Sequence, residues 1–196
     1  MSNLNEGGAA NGGRGKKYII VLVFSAMLTA LSIVLSRVCS IPIGNGYRIG
    51  FGKLPVVLAG CWMGALPGLA VGAVSDIIGA IMTTGWNPVL TIPAALTGML
   101  PPVFLKFMAA KRGADGKTWR GFLKLLLAVL STRVIVSGIL MTFLLAYFYP
   151  TYQLKLVFFL WTRTGIAAIE AAIEAAVTYI LYTNKSIDSM MKKHGI

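Results

Sequence analysis

The sequence predicts an all-α integral membrane protein, a bundle of six transmembrane helices with both termini cytoplasmic. Three observations carry this. Hydrophobic residues make up 57% of the 196-residue chain and charged residues only 12%, where a soluble domain is about a quarter charged. The mean hydropathy is +0.77. The formal charge of +12 gathers at the ends of apolar runs, where the positive-inside rule puts basic residues. No Lys/Arg stripe with interleaved aromatics runs through the chain, so the charge does not point to nucleic acid.

Residues 1–17 are rich in Gly, Asn, Ser and Ala and end in Arg14, Lys16 and Lys17. They read as a disordered basic tail. The run 18–36 is too long for the apolar core of a signal peptide and is followed by Arg37 rather than a small-residue cleavage site, so it predicts a retained helix. Residues 38–50 hold Pro42, Gly44, Asn45, Gly46 and Gly50 and read as a loop. Apolar runs follow at 51–65, 66–84, 88–109, 119–149 and 157–182, giving about six helices by the ~20-residue span rule. The second and third meet at Gly64-Ala65-Leu66-Pro67-Gly68, which reads as a tight turn. The membrane domain covers 18–184, and 185–196 form a second basic cytoplasmic tail.

The charge flanks set the orientation. Arg14, Lys16 and Lys17, the loop with Lys111, Arg112, Lys117, Arg120 and Lys124, and the tail with Lys185, Lys192 and Lys193 fall on one side, which predicts that side as cytoplasmic. Arg37, Arg48 and Lys53 sit near the first outer loop, against that rule, and Lys155 and Arg163 add two more on the outer side. Basic residues placed where topology does not want them suit either an anionic ligand or anionic headgroups.

Ionisable groups inside the apolar runs are the next signal: Asp76, Arg133, Glu170 and Glu174. Such groups are expensive at depth, and they pair with one another or line a solute path. Glu170 and Glu174 stand one helical turn apart and share a face. Arg133 lies at similar depth in the preceding helix, so an Arg133–Glu170 or Arg133–Glu174 pair is the structural expectation. Asp76 has no obvious partner, which points it towards a polar cavity. A carboxylate there accepts parallel N–H bonds from an amino-pyrimidine edge.

The outer-end aromatics Tyr47, Trp86, Tyr147, Tyr149, Tyr152 and Trp161 fit an interfacial belt. Trp86, beside Asn87 and Pro88, is the best candidate to stack on a ring. Ala26 and Ala30 make a small-xxx-small step on the first helix, and Ala168, Ala172 and Ala176 another on the last. Such steps let helices approach closely; internal packing is the expectation for the last helix.

Several chemistries are excluded. Gly52-Lys53 is followed by Leu54 and no P-loop precedes it, and the dinucleotide fingerprint fails at Ile49. The single histidine, His194, lies in the tail, so neither a serine–histidine site nor a zinc site is available in the membrane. Cys39 and Cys61 carry no metal spacing. No enzymatic activity, cofactor or metal is expected.

Four stretches, 31–37, 48–60, 68–76 and 91–98, culminating in Phe51-Gly52-Lys53-Leu54-Pro55 and Leu58-Ala59-Gly60, resemble the substrate-capture (S) subunits of energy-coupling factor vitamin transporters. The match is closest to the folate branch. It covers the first four helices well and the last two by length and hydrophobicity. The resemblance implies six helices in a prokaryotic plasma membrane and a vitamin bound from outside under the first outer loop. It also implies docking on a coupling subunit with two ATPases, and toppling in the membrane to release cargo.

For a folate-like vitamin, the resemblance gives Arg37, Arg48 and Lys53 to the glutamyl carboxylates, with Arg163 as a further anion contact. Trp86 would stack on the pterin or benzoyl ring, and Asp76, Asn87 or Thr91 would bond the heterocycle's edge. Ala26 and Ala30 fall on the docking motif. Pantothenate, a hydroxymethylpyrimidine or a nucleobase-like precursor are rival cargoes. A stand-alone proton-coupled carrier using Asp76, Glu170 and Glu174 is the rival function. No inverted repeat favours it.

Overall fold

The computed structural model describes residues 6–43, 47–82, 87–108, 119–148 and 156–184; of these, the side chains of 6–14, 16, 40–43, 47–49, 156, 159 and 182 lie outside the description. Helix α1 (Glu6–Val38) leads into an antiparallel hairpin of β1 (Ser40–Ile43) and β2 (Tyr47–Gly50). A 3-10 turn at Phe51–Lys53 opens α2 (Leu54–Met63), followed by α3 (Ala65–Ile81) and α4 (Pro88–Phe107). Helix α5 (Trp119–Phe148) and α6 (Leu156–Thr183) complete the chain. Within α5, Val134–Leu140 is a π-helical segment.

Two elements differ from expectation. Part of the 38–50 loop is the hairpin, in which Pro42 sits opposite Arg48 and Ser40 opposite Gly50; the alternating β-branched Ile41, Ile43 and Ile49 suit strands. Part of the N-terminal tail expected to be disordered is helical from Glu6. Extending a helix already nucleated on the apolar stretch fixes only one residue per added bond. The C-terminal tail from residue 185 lies outside the described residues.

Among the described residues, four helices are long and apolar enough to cross a membrane: Lys17–Val38, Pro88–Phe107, Trp119–Phe148 and Leu160–Leu181. The apolar helices Phe51–Met63 and Ala65–Ile81 are shorter. With the exposed apolar stripes on α1 and α3, this describes a membrane-embedded helical protein.

The turn between α2 and α3 is tighter than expected, a single residue. Gly64 adopts φ 104°, a conformation in which an L side chain is strained. The two helices fold back and meet α4 at backbone distance. A methyl group on Gly98 would strike the Gly68 carbonyl oxygen, and one on Gly60 would strike the Gly98 carbonyl oxygen. Lipid supplies no hydrophobic drive between helices, so close backbone packing of this kind holds them together.

The core between α2, α5 and α6 gathers Val57, Cys61, Val129, Ala171 and Ala175. Here the small-residue expectation for the last helix shifts by one position. Ala167, Ala171 and Ala175 are the buried stripe, while Ala172 is exposed and Ala168 and Ala176 are only partly covered. Both cysteines are free thiols.

Candidate functional site

Alternating helix direction brings the C-terminal ends of α1 and α3, the N-terminal ends of α2, α4 and α6, and the second half of α5 to one end of the bundle. Among the described residues, Arg37, Lys53, Asp76, Asn87, Thr91 and Arg163 stand on these segments.

Its deepest part is an ion-paired cluster between α5 and α6. Arg133 is 0% exposed and Glu174 1%. Arg133 Nε donates to Glu174 Oε2 at 2.9 Å, and Nη2 donates to Glu174 Oε1, so the guanidinium grips both oxygens. Nη2 also lies 3.3 Å from Glu170 Oε2. The expected pair is therefore a triad, with Arg133 held by both glutamates. Removing either charge class alone from so dry a place is unfavourable, which is why the groups arrive together.

The π segment starts immediately after Arg133 and changes which residues face inward. Ser137 Oγ lies 3.4 Å from Arg133 Nη1 and accepts a bond from Lys53 Nζ at 3.2 Å. Gly138 is pressed against α6, where a Cβ would meet Thr164 Oγ1 at 2.8 Å. π segments recur at functional sites because the extra residue re-aims side chains. Sequence reasoning missed Ser137. The faint signal for it is Val134-Ile135-Val136-Ser137-Gly138, a β-branched run followed by a Ser-Gly pair, a known place for helices to deform.

Lys53 is the hub. It is exposed, yet within electrostatic reach of Arg133, Glu170, Glu174 and Arg163 and of Asp76. Its bond among the described residues goes to a neutral hydroxyl rather than to a carboxylate. An ammonium with donors to spare, ringed by fixed charges, is equipped to receive an anion.

Asp76 is not without partners, as had been expected. It is hydrogen-bonded to the Thr91 side chain and lies within electrostatic reach of Lys53; the reversal of direction between α3 and α4 brings the two together. The Thr91 hydroxyl is also 3.4 Å from the Asn87 carbonyl oxygen. Asn87 caps α4, its Oδ1 accepting from Val89 N at 3.1 Å, which leaves its amide nitrogen for other contacts. Arg37 reaches across from α1 and donates to the Gly79 carbonyl oxygen near the end of α3. Arg163 stands on α6 beside the cluster. The side chain of Arg48 and the whole of Trp86 lie outside the described residues, as do Tyr149 and Tyr152.

Glu170 makes a contact that the sequence did not suggest. Its Oε1 accepts the Gly50 N–H at 3.2 Å, joining the last residue of the hairpin to α6. On the other flank, Ser32 Oγ donates to the Gly52 carbonyl oxygen at 2.6 Å. The peptide segment carrying Lys53 is thus fastened from two sides. Ala26 and Ala30 lie away from all this, exposed on α1 in one outward face with Leu22, Val23, Met27, Leu31 and Val34.

The sequence matches the family described as ECF transporter, substrate-specific component, over residues 21–182. A curated relative, the folate transporter FolT of Clostridium novyi (strain NT), is 34% identical over 102 residues, 49% of this chain and 58% of that protein. The aligned part thus spans a little over half of that relative's length. This membrane-embedded helical bundle, matched over residues 21–182, belongs to the substrate-specific components of ECF transporters.

Proposed function

We propose that this protein is the capture subunit of an ECF-type vitamin importer and binds a folate-like vitamin from the outer face. In this reading it spans a prokaryotic plasma membrane six times, with both termini cytoplasmic. The observation that carries the cargo assignment is Lys53, exposed and bonded to a neutral hydroxyl at the centre of the polar end. The 34% identity to a folate transporter supports the same choice.

Lys53 takes a glutamyl carboxylate, with Arg37 and Arg48 towards the mouth and Arg163 on the α6 side. Asp76, oriented by Thr91, accepts N–H bonds from the amino-pyrimidine edge, and Asn87 adds an amide donor. Trp86 stacks on the pterin or benzoyl ring. A buried Arg133 with two glutamates is structural in this scheme, which counts against a carrier that uses those glutamates as a proton relay. Ala26 and Ala30, exposed on α1, give the coupling subunit a flat place to approach, and two ATPases complete the importer.

The test is binding of folic acid and a reduced folate to the purified protein by tryptophan fluorescence quenching, with pantothenate and thiamin alongside. Tight folate binding, lost in Lys53→Met, supports the reading. Binding of pantothenate instead moves the cargo and keeps the subunit. No binding of any of them, together with pH-gradient-driven uptake by the chain alone in vesicles, would falsify the reading in favour of the carrier. Docking is tested separately. Ala26→Leu with Ala30→Leu is expected to leave folate binding intact and abolish uptake in cells carrying the full importer.

A further inference from the structure

We infer that Glu170 is a positioning residue that transmits cargo occupancy at Lys53 to the first hairpin. This rests on the reading of Lys53 as a cargo contact. The two glutamates on α6 are chemically alike but differently committed. Glu174 spends both oxygens on Arg133 and is 1% exposed. Glu170 is 13% exposed and divides its oxygens, Oε2 on Arg133 and Oε1 on the Gly50 N–H. One glutamate fixes the arginine; the other joins the arginine to the backbone of a different element.

Gly50 is a consequential place to be held. It ends β2, pairs with Ser40 across the hairpin, and precedes the 3-10 turn Phe51–Lys53. Lys53 is three residues further on, so the peptide that Glu170 grips also sets where the Lys53 ammonium stands. The circuit closes through Ser137, whose hydroxyl accepts from Lys53 Nζ at 3.2 Å and lies 3.4 Å from Arg133 Nη1, and Arg133 in turn is paired with Glu170. An anion arriving at Lys53 withdraws positive charge from Glu170 and shifts the balance of its two bonds. The Gly50 N–H is one of those bonds, so the hairpin base responds. Interactions through one shared carboxylate are coupled rather than additive.

The test is hydrogen–deuterium exchange of the full-length protein in nanodiscs, followed on peptides containing Gly50, with and without folic acid. Ligand-free Glu170→Ala is expected to exchange at Gly50 about tenfold faster than wild type, the size set by losing one bond to a charged acceptor. Glu170→Gln, which keeps an acceptor oxygen, is expected to restore most of that protection. With folic acid, the alanine variant is expected to release ligand faster while its association rate stays near wild type. If the alanine variant does not fold, Glu170→Met, of similar volume, takes its place with the same expectation.

Unchanged Gly50 exchange in the alanine or methionine variant overturns the inference, and so does a glutamine variant no better protected than alanine. Absence of folate binding to the wild type refutes the cargo reading instead. The ligand-free exchange comparison judges the Glu170–Gly50 link even then.

Discussion

Where α2, α3 and α4 meet, the protein is held by the absence of side chains; where α5 and α6 meet, it is held by charge. In the first region Gly60, Gly68 and Gly98 bring carbonyl groups against α-carbons. In the second, Arg133 is fastened to Glu170 and Glu174. Both solve the same problem, since lipid gives helices no hydrophobic reason to associate. The solutions differ in tolerance. Backbone contact fails when any atom is added, whereas a buried ion cluster fails when a charge is removed. The charged region also lies within electrostatic reach of Lys53, the proposed cargo contact; the glycine contacts do not.

The comparison breaks most readily at Glu174. Glu174→Ala leaves Arg133 buried and short of a partner, a change expected to destabilise by about 3–5 kcal/mol in thermal unfolding of the purified protein. Gly98→Ala is expected to come next, at about 1–3 kcal/mol from overpacking, read in the same melts. A wild-type melting temperature for Gly98→Ala would show that the helices are not packed as closely as described. Lys53→Met separates site from scaffold: about tenfold or more weaker folate binding, with a melting temperature close to wild type. The smallest effect is expected at α6, where exposed Ala172→Leu shifts stability by no more than about 0.5 kcal/mol. Ala171→Leu, at a fully buried position, is the matched disruptive variant. Equal melting of the two would contradict the observed facing of α6.

That α6 facing shows where sequence reasoning stops. The helix carries alanines in adjacent pairs: Ala167 with Ala168, Ala171 with Ala172, and Ala175 with Ala176. Two small-residue stripes therefore exist side by side, and spacing alone cannot choose between them. The glutamates could have chosen, because a buried Glu174 turns its own face inward and takes Ala167, Ala171 and Thr178 with it. The Arg133 cluster was legible for the same reason: ions at one depth must find each other. Helix limits were legible from apolar run length to within a few residues, except that α1 begins at Glu6 rather than at residue 18. The π segment was not, since its cause lies in how Ser137 and Gly138 meet Lys53 and Thr164. Nor was the Gly50–Glu170 bond, which joins residues 120 positions apart.

The one-residue turn at Gly64 has a consequence for the surrounding lipid. It leaves α3 only 17 residues long, about 25 Å at ~1.5 Å per residue, against a hydrocarbon core of about 30 Å. Helix α2 is shorter still but is enclosed by its neighbours. Helix α3 is not: Leu66, Val74, Ile78 and Ile81 form an exposed apolar stripe along it. Under the six-span topology, the bilayer beside α3 must therefore thin, or the protein must lean, at an elastic cost of a fraction of a kcal/mol per Å. The long helices α1 and α5 impose no such deficit on their own sides. Under that topology the apolar girdle is unequal around the circumference, and the side on which Gly64 starts the short α3 is the side towards which tilt relieves the mismatch.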